Sequence, residues 1–186
     1  MKKIEQKHID AVKTILEFIG EDVDREGLRE TPERFLKAWR DYWGIGYTKE
    51  PRQVMKIFED GASSNQMIVV KDIPIFSHCE HHLAPIIGKA TIAYISKDKI
   101  IGLSKIARVA NIYARRLQVQ ERLTNQIADA IYKELDCIGV GVYISAEHLC
   151  MTSRGIQALG SKTDTTALRG DFLNNDIKEE FLANCK

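Results

Sequence analysis

The residues best suited to chemistry stand in two short runs. The first is Phe76-Ser77-His78-Cys79-Glu80-His81-His82. Cys79 and His82 are three apart, a spacing that lets a thiolate and an imidazole converge on one ion from a turn. The second run is Ala146-Glu147-His148-Leu149-Cys150. Val140, Val142, Ile144, Ala146, His148 and Cys150 share parity. A continuous strand over Ile138–Met151 would therefore place them on one face, apolar until an imidazole and a thiol end it. Cys79, His82 and Cys150 together would make a Cys2His zinc site with its fourth position open to water, the form that catalytic rather than structural sites take. His81 or His148 could instead close the tetrahedron, and spacing alone does not decide. His78 reads as a supporting or merely packed histidine. Cys137 and Cys185 have no histidine or second cysteine near them in sequence and read as small core hydrophobes.

Further candidates are basic or acidic groups at helix starts. Ser104, Lys105 and Arg108 open a helix after Ile101-Gly102-Leu103, where free backbone N–H groups and the positive dipole end favour a phosphate. Lys105 and Arg108 are three apart and can reach one anion. Arg154, four residues beyond Cys150, brings a guanidinium suited to multidentate phosphate contacts. Gln120-Glu121-Arg122 opens a second helical segment. A carboxylate there can accept two hydrogen bonds from the N–H edge of guanine, and it is equally favoured by the helix dipole alone.

The elements that must position these groups can be read from periodicity. Ile9, Val12, Ile15, Leu16 and Ile19 predict a helix over 4–19, stopped by Gly20. Thr31-Pro32 predicts a second start, with threonine as N-cap. Phe35, Leu36, Trp39, Tyr42 and Trp43 form its apolar stripe as far as Gly44, and Arg34, Lys37 and Arg40 lie opposite. Strands are expected over Met67–Ile75, Ile87–Ile95 and Lys99–Leu103. Helices follow from Ser104 to Arg116 and over 120–135, then the strand Ile138–Met151, a polar loop over 161–170 and a short helix from about Asn175. Grouped rather than alternating elements argue for an α+β fold with mainly antiparallel pairing.

Composition narrows the classes. The 186 residues are 44% hydrophobic and 28% charged, as in a soluble globular chain, and fit one domain with a helical part over 1–58 and a core over 67–186. Lys+Arg of 27 against Asp+Glu of 26 leaves a formal charge of +1, so no bulk basic field recruits nucleic acid. No apolar stretch reaches the roughly 18 residues of a membrane span. The charged start MKKIEQKHID is unlike a signal peptide, so the cytoplasm is expected. Four scattered cysteines in a reducing compartment favour metal ligation or packing over disulfides.

Taken together, the runs CEHHLAPIIGKATIAYI (79–95), IGLSKIARVANIYARRLQVQERLTNQIADAI (101–131) and AEHLCMTSRGI (146–156) resemble the GTP cyclohydrolase I family. ETPERFLKAW (30–39) and SKTDTTALRGDF (161–172) extend the resemblance over roughly residues 30–172. It implies hydrolytic opening of the GTP purine ring to 7,8-dihydroneopterin triphosphate and formate, the first step toward folate and other pterins. It implies Zn2+ on Cys79, His82 and Cys150, and acid–base roles for His81 and His148. By the same resemblance Glu121 recognises guanine with Gln120 beside it, and Ser104, Lys105, Arg108 and Arg154 surround the ribose and triphosphate, with Ser104 also assisting catalysis. Arg34 and Lys37 match basic residues that reach a neighbouring subunit's triphosphate. The implied fold is the tunnelling fold, an antiparallel sheet with helices on one side, assembled as a homodecamer of two pentameric rings. The chain starts close to its first helix, without the long N-terminal extension of animal members, so a regulatory partner protein is not expected. Two rivals remain: a zinc-stabilised binding module with four protein ligands, and a tunnelling-fold relative using a cysteine nucleophile and NADPH.

Overall fold

Two strands separated by one antiparallel strand must run in the same direction, and this rule organises the molecule. In the computed structural model, which describes residues 3–59 and 66–185, β2 (Met67–Cys79), β3 (Pro85–Ile95) and β6 (Gly139–His148) are such a trio. Met1 and Lys2 of the charged N-terminus lie outside the described residues. β3 pairs antiparallel with both neighbours, Ser77 opposite Ile86 on one side and His148 opposite Ile86 on the other. The C-terminal ends of β2 and β6 therefore meet at one rim of the sheet. β7 (Thr163–Gly170) pairs antiparallel with β6, and β5 (Leu117–Gln118) pairs parallel with the end of β2, giving the order β5-β2-β3-β6-β7.

One face of this sheet carries α3 (Leu103–Ala114) and α4 (Gln120–Leu135). Ile106, Val109 and Ala110 of α3, and Leu123, Ile127, Ile131 and Leu135 of α4, are fully buried against Ile92, Val140, Val142 and Ile144. Each large side chain so removed from water stabilises the fold by roughly 1.5–3 kcal/mol relative to exposure. Tyr113, expected inward, is partly buried, with the Arg116 guanidinium 4.9 Å from its ring. The expected α+β class and mainly antiparallel sheet, with its two long core helices on one face, are found. On the opposite face the short α6 (Asn175–Ala183) covers one end of the sheet, where Phe181 and Phe172 meet edge to face at 5.4 Å over Ala93 and Ile95.

The N-terminal part is helical. α1 (Gln6–Phe18) begins in a capping box of Glu5 and His8, and α2 (Thr31–Ala38) has Glu30, not Thr31, at its N-cap. The chain then widens into a π-helical turn, Trp39–Trp43, closed by Gly44 N–H donating to the Trp39 carbonyl at 2.7 Å. Phe35, Trp39 and Trp43 pack edge to face along it at 5.5–6.4 Å, while Tyr42 of the expected stripe is exposed. Trp39 and Trp43 lie against the imidazole of His78, at 4.7 and 5.1 Å, so this ridge braces the end of β2.

Several boundaries differ from those the sequence suggests. The loop expected over 161–170 is largely strand β7; three of its residues, Thr163, Thr165 and Thr166, are β-branched threonines suited to a sheet. The strand expected through Met151 stops at His148, and Cys150 sits in the one-turn helix α5 (Leu149–Thr152), so strand parity does not carry it. α3 starts at Leu103 with Gly102 as N-cap, not Ser104. The strand expected over Lys99–Leu103 shrinks to β4 (Ile100–Ile101), which pairs with a two-residue β1 (Ile57–Phe58) in a separate sheet.

At Gly88 of β3 the backbone of β6 leaves no room for a side chain: a Cβ there would lie 2.2 Å from the Ser145 carbonyl oxygen and 2.5 Å from Ala146 Cβ. Backbone cannot retreat cheaply, so Gly88→Ala is expected to destabilise by about 1–3 kcal/mol or more. Denaturant unfolding checks this; an unchanged midpoint would mean the two strands have slack.

Candidate active site

The rim formed by the ends of β2 and β6 gathers the chemistry-bearing groups. β2 delivers Cys79, and the chain turns at once: Cys79 N–H donates to the Ala84 carbonyl at 2.8 Å and Leu83 N–H to the Cys79 carbonyl at 2.8 Å. Leu83 holds a left-handed φ of 54°, uncommon for a branched residue, and so closes a turn that folds His82 back over Cys79. From the other strand, α5 swings Cys150 toward the same point. The ligand atoms of Cys79, His82 and Cys150 all lie within 4.8 Å of one another. No other group of three or more potential ligand residues comes together in this way among the described residues. Cys79 is buried, Cys150 half-buried and His82 exposed, so the cluster opens outward.

Of the two histidines that could have closed a tetrahedron, His81 approaches Cys79 as closely as His82 does (3.9 Å) without joining the three-residue group, and His148 lies outside it. His81 places Nδ1 3.8 Å from Cys79 Sγ but its side chain is mostly exposed, with Nε2 3.9 Å from Glu80. His148 is held elsewhere, its Nε2 2.7 Å from Gln120 Oε1. The donor set is two sulfurs and one imidazole nitrogen with no carboxylate, a combination that fits zinc and leaves a position for a non-protein ligand.

Electrostatics follow burial. Burial pushes the Cys150 thiol up, helped by the neighbouring Cys79 thiol, while Arg154 opposes the shift. Burial likewise lowers His148, and the Glu121 carboxylate opposes that. Glu121 is exposed at the start of α4, near enough for its charge to act on the His148 imidazole. Arg154 reaches the cluster, its Nη1 3.1 Å from His82 Nε2.

The remaining expected residues are more dispersed. Ser104 and Lys105 lie in the first turn of α3, exposed and half-buried. Arg108 faces a cavity of about 370 Å3 that it shares with Lys49, Asn111 and Arg115. Arg34 and Lys37 are exposed on α2, paired with Glu30 and with Glu33 (2.8 Å), and are not drawn to the Cys–His cluster of their own chain. Gln120 departs from expectation: its side chain is 1% exposed and turned into the protein, so its amide is not offered to a ligand. Cys137 and Cys185 are free thiols, each pushed up by burial to about 11, as core cysteines would be.

Sequence reasoning assigned no role to Glu80 or Arg122. The Arg122 guanidinium hydrogen-bonds the Glu80 carboxylate, holding it below the usual carboxylate range, and its Nε donates to Gln118 at 3.2 Å. This fastens the Cys79–Leu83 turn to the start of α4. Both residues stand inside informative runs, but a pair 42 positions apart leaves no signal in spacing.

An open cluster of soft donors at the rim of an antiparallel sheet is compatible with a bound metal and has the form of an open rather than a four-ligand closed site. The chain belongs to the GTP cyclohydrolase I family of enzymes, whose family model matches residues 8–186. It is 51% identical to a GTP cyclohydrolase 1 of Janthinobacterium sp. (strain Marseille) over 91% of this chain and 86% of that one. With the Hydrogenobaculum sp. (strain Y04AAS1) protein of the same name it shares 51% over 95% and 94%, and with that of Brucella suis 54% over 87% and 76%. Among solved structures, an archaeosine synthase QueF-Like in the apo form overlaps 57% of this chain and 96% of its own at TM-score 0.48 and 14% identity. No helix among the described residues is long and apolar enough to cross a membrane.

Cys150→Ser and Cys79→Ser should each lose a bound divalent metal, whereas Cys185→Ser should keep it; elemental analysis of the purified proteins checks this. Metal uptake must also release protons from thiols. Because the Cys150 thiol titrates above its ordinary range, apparent affinity should strengthen as pH rises from about 6 to about 8. Chelator competition at both pH values measures it, and a flat profile would exclude thiol ligation.

Proposed function

We propose that this protein is a zinc-dependent GTP cyclohydrolase that converts GTP and water to 7,8-dihydroneopterin triphosphate and formate, at the entry to folate and related pterins. The observation that carries this reading is the meeting of Cys79, His82 and Cys150 at one point in a chain whose family match runs from residue 8. When bound there, zinc supplies an electrophilic centre able to make water a usable nucleophile near neutral pH.

The chain's own residues do the rest. Glu121 accepts two hydrogen bonds from the N–H edge of guanine, which adenine cannot offer, and so selects the base. His148, near Glu121 and half-buried, gives a proton to the imidazole-ring side of the purine as C8 is attacked. Burial lowers its pKa, which eases that donation. His81, exposed at the mouth, and Ser104 on α3 move protons during ribose opening and closure of the pterin ring. Lys105, Arg108 and Arg154 supply positive charge for the triphosphate. Arg34 and Lys37, exposed on α2, complete that charge from a neighbouring subunit of a homo-oligomer, a decamer of two pentameric rings. The enzyme works in the cytoplasm, without nucleic acid.

The test is incubation with GTP, with and without chelator, following formate release and the fluorescence of the oxidised pterin. Both signals should appear together, vanish on chelation and return with zinc. Formate without pterin would remove the ribose-handling roles of His81 and Ser104; neither signal from a folded, zinc-loaded protein would sink the reading. Glu121→Ala should raise KM for GTP by roughly tenfold or more, the scale of a lost charge-assisted hydrogen bond.

A further inference from the structure

Gln120 opens α4 with both ends of its amide committed to the protein. Its Nε2 lies 3.0 Å from the Ile144 carbonyl oxygen, 2.8 Å from that of Thr163 and 3.1 Å from Thr165 Oγ1. Carbonyl oxygens only accept, so the nitrogen end of the amide must face β6 and β7. The reverse orientation would set an amide oxygen against two carbonyl oxygens in a buried place.

The threonines agree with this sense. Thr124 Oγ1 donates to the Gln120 carbonyl at 2.7 Å, which leaves it to accept from Thr165 Oγ1 at 2.6 Å. Thr165, having given its one hydroxyl proton to Thr124, is then an acceptor toward Gln120 Nε2. Each hydroxyl proton is used once, and the direction of the chain is fixed from the backbone outward.

The other end of the amide is therefore Oε1, which only accepts, 2.7 Å from His148 Nε2. A hydrogen bond across that contact needs the proton on Nε2. In the neutral ring, Nδ1 is then the nitrogen with the free lone pair. We infer that Gln120 is a positioning residue that holds His148 as the Nε2–H tautomer, making Nδ1 the atom through which His148 exchanges protons with substrate. This rests on the acid–base role proposed for His148. It replaces the expectation that the Gln120 side chain binds substrate.

The gain is in the product of the step. When the imidazolium gives up its Nδ1 proton, the neutral ring that remains is already the form Gln120 stabilises. No ring rotation or tautomer exchange is needed before the next turnover. A free imidazole divides its neutral form between two tautomers, and only one of them suits a given reaction geometry.

The test uses the zinc-loaded, full-length protein labelled with 15N in histidine. Spectra are taken at about pH 8, above the ordinary imidazole range, where the ring is neutral. The His148 signals are identified by their loss in His148→Ala. The wild type should show a single form, protonated at Nε2 and bare at Nδ1. Gln120→Leu should give a mixture of tautomers, with zinc content unchanged. Its kcat should fall roughly tenfold or more, a share of the about 10²–10⁴-fold that a placed acid–base group contributes, with KM for GTP within about twofold.

A wild-type ring protonated at Nδ1, or mixed between tautomers, overturns the inference even if Gln120→Leu fails to fold. A Gln120→Leu protein with full kcat overturns it as well. A single Nε2–H form in a protein that releases no formate from GTP would support the pinning by Gln120 and count against the proposed reaction instead.

Discussion

The site depends on strand direction before it depends on any side chain. Because β3 pairs antiparallel with both β2 and β6, those two strands run together and end at the same rim. Cys79 closes one, His148 closes the other, and Cys150 follows within a single helical turn. Residues about seventy positions apart thus meet without a long loop to hold them. Loop placement would be softer, since loops carry less packing and open more readily than strand ends in a hydrogen-bonded ladder.

Around that rim, the protein separates the groups it gathers by hydrogen bonding. Two thiols and an imidazole converge. His148, two residues before Cys150, is turned to Gln120 instead, its Nε2 2.7 Å from Gln120 Oε1. The turn bearing His81 and His82 is tied to α4 by the Glu80–Arg122 pair. That pair is partly exposed, and such surface pairs contribute about 0–1 kcal/mol, so its part is placement of the turn more than stability. The Trp39–Trp43 ridge against His78 braces β2 from the other side.

Much of this was legible in the sequence, for identifiable reasons. The apolar alternation of Val140, Val142, Ile144 and Ala146 and the i, i+4 stripe of Leu123, Ile127, Ile131 and Leu135 report local burial directly, and both are found as read. The order and spacing of the cysteine-containing runs carried the metal trio. What stayed hidden were choices made by tertiary partners. Thr163–Gly170 looks like a polar loop until Gln120 and Thr124 supply partners for its threonine hydroxyl and carbonyl groups. Cys150 fits strand parity, yet the strand ends at His148 and the one-turn α5 that follows carries the thiol. Gln120 reads as a polar helix start fit for a ligand, since nothing local says that its amide faces inward.

That last case shows what a buried amide can do that a surface one cannot. On the surface, water would satisfy either orientation of the Gln120 amide, and its oxygen would impose nothing on a neighbour. Buried at the junction of α4, β6 and β7, the amide meets two carbonyls that permit one orientation only. An unmade hydrogen bond there would cost about 1–3 kcal/mol, so the backbone enforces the direction of the side chain. The side chain in turn sets which nitrogen of His148 keeps its proton. The sheet that brings Cys79 and Cys150 together thus also fixes, through one glutamine, the tautomer of the histidine beside them.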